Sequence, residues 1–275
     1  MKSLKKLALT AAFGLALTFT FGCLEEKFPF LEKLPFIGGG SSNETQGGCP
    51  NLAISGNMLY CGGQNYKTVT IGKQVWMAQN LNYDVPGNYT DLCYSNVSAN
   101  CAKYGRLYNW ATAMALPPEC NSSPLDDKKC VIKTPYHRGI CPEGWHIPNV
   151  EEWNILMRFG EKRLRAKSGW NSYVHDPCCG HECIPGCTKK PVTMPGNGTD
   201  DYGFTALPNG SGYQLEGKLT FGGVGYGGLW WTASELSNNS AYRSVITNDD
   251  NYEGDDCDDK GNLFSVRCLR DALAP

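Results

Sequence analysis

Histidine is scarce in this 275-residue chain, which carries only His137, His146, His175 and His181. So small a supply argues against a histidine-rich metal centre. Net charge is nearly absent as well: 25 Lys and Arg face 27 Asp and Glu, leaving −2. Without a basic excess there is no electrostatic footprint for nucleic acid, and no such partner is expected. Past residue 21 no apolar run is long enough to cross a membrane. Tandem repeats of roughly 20 to 50 residues, the mark of solenoids and propellers, are missing too. No Ser or Cys has a context that marks it as a nucleophile with a histidine partner.

What is present begins with an export pattern. Lys2, Lys5 and Lys6 precede an uncharged, mostly apolar run from Leu7 to Phe21, short for a spanning helix and suited to a signal peptide over residues 1–22. The run ends in Phe21-Gly22-Cys23, which resembles a bacterial lipobox, although Thr20 stands where Leu is usual. Lipid attachment at Cys23, with palmitate among the acyl chains, would anchor the protein to the membrane. Leu24 in place of Asp argues against inner-membrane retention, so the outer membrane or cell surface is expected. Residues 23–58 include "PFIGGGSSNETQGG", which has no periodic apolar pattern and reads as a flexible tether. The remainder, 59–271, suits one domain.

Fourteen cysteines fit an oxidising compartment and a disulfide framework. Setting Cys23 aside leaves an odd number, so one thiol is expected to be free or to pair between chains. Cys93 and Cys101 bracket the polar "YSNVSAN", and Cys120 and Cys130 bracket "NSSPLDDKK"; both pairs are disulfide candidates. The insert at 175–190, "HDPCCGHECIPGCTKK", holds Cys178, Cys179, His181, Cys183 and Cys187. Zinc is an alternative there, but no regular CxxC…CxxC spacing supports it and disulfides are preferred.

"YKTVTIGKQVWMAQNL" alternates around Gly72 and Lys73 as a hairpin, with Val69, Ile71, Val75 and Met77 sharing one parity. In "YGRLYNWATAMAL", Leu107, Trp110, Ala111 and Met114 follow a helical period that Pro117 and Pro118 end. A second helix is expected after Asn149, with Glu152 completing a capping box, Trp153, Ile155, Leu156 and Phe159 as its buried stripe, and Gly160 at its end. From about residue 200 the pattern is glycine-rich and strand-like. The expectation is an α+β domain with two helices packed on a short-stranded antiparallel sheet, rich in disulfides.

The strings "VTIGKQVWMAQNLNY", "CAKYGRLYNWATAM", "GICPEGWHIPNVEEWNIL", "GTDDYGFTALPNG", "LWWTASE" and "FSVRCLRD" together resemble the Fibrobacter succinogenes major paralogous domain and cover nearly all of 60–271. That resemblance implies a C-type-lectin-like fold, distantly shared with formylglycine-generating enzymes. In such a fold the last strand runs back beside the central helices, which makes a Cys141–Cys268 bridge sensible. The insert at 175–190 and the acidic run "NDDNYEGDDCDDKGN" depart from the family pattern.

Glu152 has a sufficient structural role in its capping box, and His146 reads as a hydrogen-bonded packing residue. The acidic run is expected to be a solvated hairpin, with calcium at Asp255, Asp256, Asp258 and Asp259 as the alternative; no other cofactor is expected. "DCDDKGN" begins like an EF-hand loop, but Arg267 takes the place of the final Glu, and the sugar-binding motifs of calcium-dependent lectins are absent. Tyr226, Trp230 and Trp231 stand among glycines as a candidate binding surface, and adjacent strand residues point to opposite faces, so one tryptophan is expected to be exposed. The functional expectation is a non-enzymatic envelope or surface module that binds or adheres to polysaccharide or protein. The alternatives are a formylglycine-generating-enzyme-like or metal-dependent enzyme and a structural envelope protein without ligand.

Overall fold

Short alternating segments and tight turns, more than helical stripes, decide how this chain packs. A computed structural model describes residues 49, 53–55, 57–87, 90–123, 127–132, 136–178, 188–249 and 256–270. In chain order the strands are β1 (Ala53–Ser55), β2 (Met58–Cys61), β3 (Gln64–Ile71), β4 (Gln74–Met77), β5 (Asp91–Leu92), β6 (Leu107–Tyr108), β7 (Trp145–His146) and β8 (Tyr173–His175). They continue as β9 (Val192–Met194), β10 (Asn209–Leu215), β11 (Lys218–Val224), β12 (Gly227–Glu235), β13 (Ser240–Thr247), β14 (Asp256–Asp259) and β15 (Leu269–Arg270). The helices are short: α1 (Ser98–Tyr104), α2 (Trp110–Ala113), α3 (Val150–Met157) and α4 (Glu161–Leu164).

One sheet runs β1-β2-β3-β4-β15-β7 and a second runs β11-β10-β12-β13-β14; β5–β6 and β8–β9 form separate pairs. The described protein is therefore mostly β. This overturns the expected α+β, C-type-lectin-like arrangement of two helices on a short sheet. The physical reason lies in the "YGRLYNWATAM" segment. Leu107 and Tyr108 pair with Leu92 and Asp91 as a strand, leaving one turn of helix from Trp110, capped where the Asn109 side chain accepts from Thr112 N–H. Trp110, Ala111, Thr112 and Ala113 are all buried, so no exposed face exists to make the helix amphipathic.

The hairpin forms with Gly72 at φ 60°, but its faces divide differently from the shared parity of Val69, Ile71, Val75 and Met77. The register sets Val69 opposite Trp76 and Ile71 opposite Gln74. A two-residue turn thus places Val75 and Met77 on the face opposite to Val69 and Ile71. Ile71 and Trp76 enter one hydrophobic cluster with Trp153, Phe204 and Trp230. Met77 enters the other, with Trp110, Trp145, Trp231 and Phe264. Helix α3 has the full capping box, although Ile155 is exposed and only Trp153 and Leu156 are buried. Gly160, at φ 91°, follows α3 and opens α4.

Strand β12 passes between the two clusters. It meets β10 in parallel at Gly210 and Gly228, where a Cβ on Gly228 would stand 2.4 Å from the Trp230 ring. Only glycine admits that approach. Part of the segment expected as a tether over 23–58 belongs to the domain: Cys49 is buried and bonded to Cys61, and Ala53–Ser55 pairs with Met58–Tyr60 in the first sheet.

Candidate functional site

The aromatic candidates separate. Tyr226 sits on the β11–β12 turn, 58% exposed, its N–H donating to Gly223 O and its carbonyl accepting from Asn248 N–H. Trp230 and Trp231 are both fully buried, so the expected exposed tryptophan is absent. They do point to opposite faces, but each face is covered. Trp231 packs at 4.5 Å on Phe264, and Trp230 stacks at 5.4 Å on Trp153. Their indole N–H groups donate inward, to Tyr108 O and Asn80 Oδ1.

Cys141 and Cys268 are bonded to one another, and both are buried. Nearby, Glu152 divides its carboxylate: Oε2 accepts from Asn149 N–H at 2.9 Å, and Oε1 lies 3.0 Å from His146 Nε2. His146 is buried, with the half-exposed Tyr136 ring 4.9 Å away. The group holds the entry of α3 against β7. The remaining cysteine candidates also form bridges, Cys93 with Cys101 and Cys120 with Cys130. Cys178 and Cys257 are disulfide-bonded as well, which removes Cys178 from any thiolate zinc set. Cys23, Cys179, His181, Cys183 and Cys187 lie outside the described residues.

Of the acidic run, Asp255 lies outside the described residues. Asp256 and Asp258 both pair with Arg243, and Asp258 also accepts from Asn262. Burial pushes the Asp258 carboxyl up, with Arg243 acting in the opposite direction. Asp259 accepts from Gly261 N–H. These oxygens face hairpin partners, and no cluster of metal-ligating side chains forms among the described residues.

A site absent from the sequence reading lies elsewhere. Residues of β2, β3, the segment after β4 and the 200–205 turn line an open cleft of about 640 Å³. Its polar side chains include Asn57, Lys67, Thr68, Gln79, Asp200 and Thr205; Met58, Val69 and Ala78 form its apolar surface. Asp200 and Thr205 both have positive φ, 46° and 53°. That conformation is unusual for any side-chain-bearing residue and costly for a β-branched one. Asp200 holds it in place, accepting from Thr205 N–H at 2.7 Å and from Thr205 Oγ1 at 2.8 Å.

Behind this turn lies Arg267, fully buried. Its guanidinium donates to Phe204 O and, from Nε at 3.0 Å and Nη2 at 2.6 Å, to Asn80 Oδ1. It also lies 4.3 Å over the Phe204 ring. Burial lowers its hold on the proton, which the Asp200 charge opposes. A guanidinium nonetheless stays charged in proteins, so the cation is a permanent support under the turn. One sequence signal could have found this group. Arg267 stands inside the apolar "LFSVRCL", and a charge in a buried strand requires dedicated partners.

The class defined by this fold and site is a disulfide-stapled, mostly antiparallel β domain with a cleft of mixed apolar and polar lining on its side. More particularly, the chain belongs to the family of the Fibrobacter succinogenes major domain, whose model matches residues 69–270. No curated protein and no solved structure gives a significant match.

Proposed function

We propose that this chain is a non-enzymatic binding module of the cell envelope, exported and lipid-anchored through Cys23, which holds a polysaccharide or a surface protein. The observation that carries the reading is the cleft. Polar side chains of both charge signs converge on a concave surface whose framework is two paired strands and a pinned turn. Pre-formed concavities with a few placed polar groups are where ligands bind. Four disulfides among the described residues support an oxidising location, and the Lys-led apolar leader ending at Cys23 supports an anchor.

The full chain, expressed with its own leader, tests both parts. Palmitate should label the wild type and not Cys23→Ser. The labelled protein, purified in detergent, should enrich a polysaccharide or a protein from envelope fractions. A wild type that never takes up label refutes the anchor, and a protein that enriches neither class refutes the binding role.

A further inference from the structure

The geometry points to a neutral saccharide as the occupant of the cleft between β2–β4 and the 200–205 turn, an inference that rests on the binding reading above.

The main chain around the cleft is already committed. Thr68 N–H donates to Asn57 O, and Ala78 N–H to Lys67 O, each at 2.8 Å. β3 pairs with β2 through Gln64–Lys67 and with β4 through Thr68–Ile71, and the bonds just named continue both ladders at the cleft, leaving no run of free main-chain groups among the described lining residues. A peptide that binds by adding a strand needs such a run. Recognition here falls to side chains. Gln79 Oε1 accepts from Lys67 N–H at 3.1 Å, which leaves its amide nitrogen to donate outward. The Lys67 ammonium makes no ion pair among the described residues and supplies further donors. Asp200 spends one lone pair of each oxygen on Thr205 and retains acceptor capacity.

A ligand that both donates and accepts at closely spaced points, and shows C–H faces to Met58 and Val69, is rich in hydroxyl groups on a carbon ring. Charge narrows the class. Among the described lining residues, Lys67 is the one cation and Asp200 the one anion. A polyanion would meet Asp200, and a polyamine would meet Lys67, so a neutral chain is favoured. The volume, about 640 Å³, lies within the range of roughly 300–1,000 Å³ usual for small-ligand sites and suits a short saccharide segment. The strained turn is fixed by Asp200 and Arg267 before any ligand arrives, which limits the ordering cost of binding.

The test uses the full lipid-bearing protein in detergent, titrated with neutral hexose oligosaccharides, oligouronates and glucosamine oligomers. Neutral oligosaccharides should bind best. Lys67→Met should weaken them about tenfold with melting temperature unchanged, the size expected for one lost hydrogen bond to a charged or well-placed donor. Gln79→Leu should do so with only the small loss of stability that follows from its exposed bond to Lys67 N–H. Tyr226→Ala, on a turn outside the cleft, should bind as wild type. Preference for either charged oligomer overturns the neutral assignment. Binding that survives both cleft variants and is lost in Tyr226→Ala moves the site to the β11–β12 turn. In both cases the binding role itself stands. If no saccharide binds, the inference falls, and the binding role then depends on whether the envelope pull-down captures a protein.

Discussion

Asn80 Oδ1 accepts three hydrogen bonds in the core, from Arg267 Nε and Nη2 and from Trp230 Nε1, while Nδ2 donates to Tyr104 O at 2.8 Å. Among the described residues no carboxylate pairs with the Arg267 guanidinium, so this amide and the Phe204 and Thr205 carbonyls carry the burden of its desolvation. Asn80→Ala should therefore cost about 3–5 kcal/mol, the range for leaving a buried charge without its partner. Arg267→Met added to Asn80→Ala should recover part of that loss, read from denaturant midpoints in a double-mutant cycle. Simple additivity would show that the two do not act together. Two buried phenols set a second, pH-dependent expectation. Burial pushes the Tyr66 hydroxyl up to about 12, against the lowering effect of the Asn82 N–H it accepts, and drives Tyr108 up as well. In the unfolded chain both titrate near about 10. Between about 10 and 12 the unfolded state thus holds fewer protons than the native state, and stability falls as pH rises. Denaturant midpoints measured from pH 8 to 11.5 should decline in that window, and Tyr66→Phe should flatten the decline.

The elements show which kinds of pattern a sequence can carry. The α3 cap was legible because it is local: Asn149 and Glu152, three residues apart, complete each other's bonds without help from the rest of the fold. The Gly72 turn was legible for the same reason. The helical stripe over Leu107 to Met114 was not, because that segment is enclosed on every side and burial erases the contrast that periodicity depends on. Trp230 and Trp231 illustrate the point within one strand. Alternation correctly separates their faces, but only the tertiary fold reveals that β12 has a cluster on each. Both should consequently behave as core residues. Trp230→Ala and Trp231→Ala should each cost about 3–5 kcal/mol, lowering the thermal midpoint. A variant of either that melts as wild type does would contradict its burial. The cleft was illegible for a related reason. Its members come from segments near residues 57, 67, 78 and 200, and nothing in their spacing signals that they meet.

At the scale of the molecule, the decisive event is the return of the chain end to its middle. β15 lies between β4 and β7, with Leu269 opposite both Trp76 and His146. No local pattern announces a pairing between segments so far apart. The family resemblance does, through the Cys141–Cys268 bridge it implies, whereas the fold class is missed where a buried segment reads as a long helix. Cys141–Cys268 fixes that return covalently, next to the point where Met77 N–H donates to Cys268 O. It spans 127 residues, against 8 for Cys93–Cys101, 10 for Cys120–Cys130 and 12 for Cys49–Cys61. If bridges stabilise by restricting the unfolded chain, loop length sets their rank. The long bridge is then worth about 5 kcal/mol and the shortest about 2.5 kcal/mol. Replacing Cys141 and Cys268 together by Ala should accordingly lower stability about twice as much as replacing Cys93 and Cys101 together. Denaturant unfolding of the two double variants, both without reductant, makes the comparison. The long-bridge variant should also unfold with a larger dependence on denaturant, because its unfolded chain is free to expand and expose more surface. Equal losses with unchanged slopes would mean that the bridge acts through its contacts in the folded core, and that the sheet closes around β15 without it.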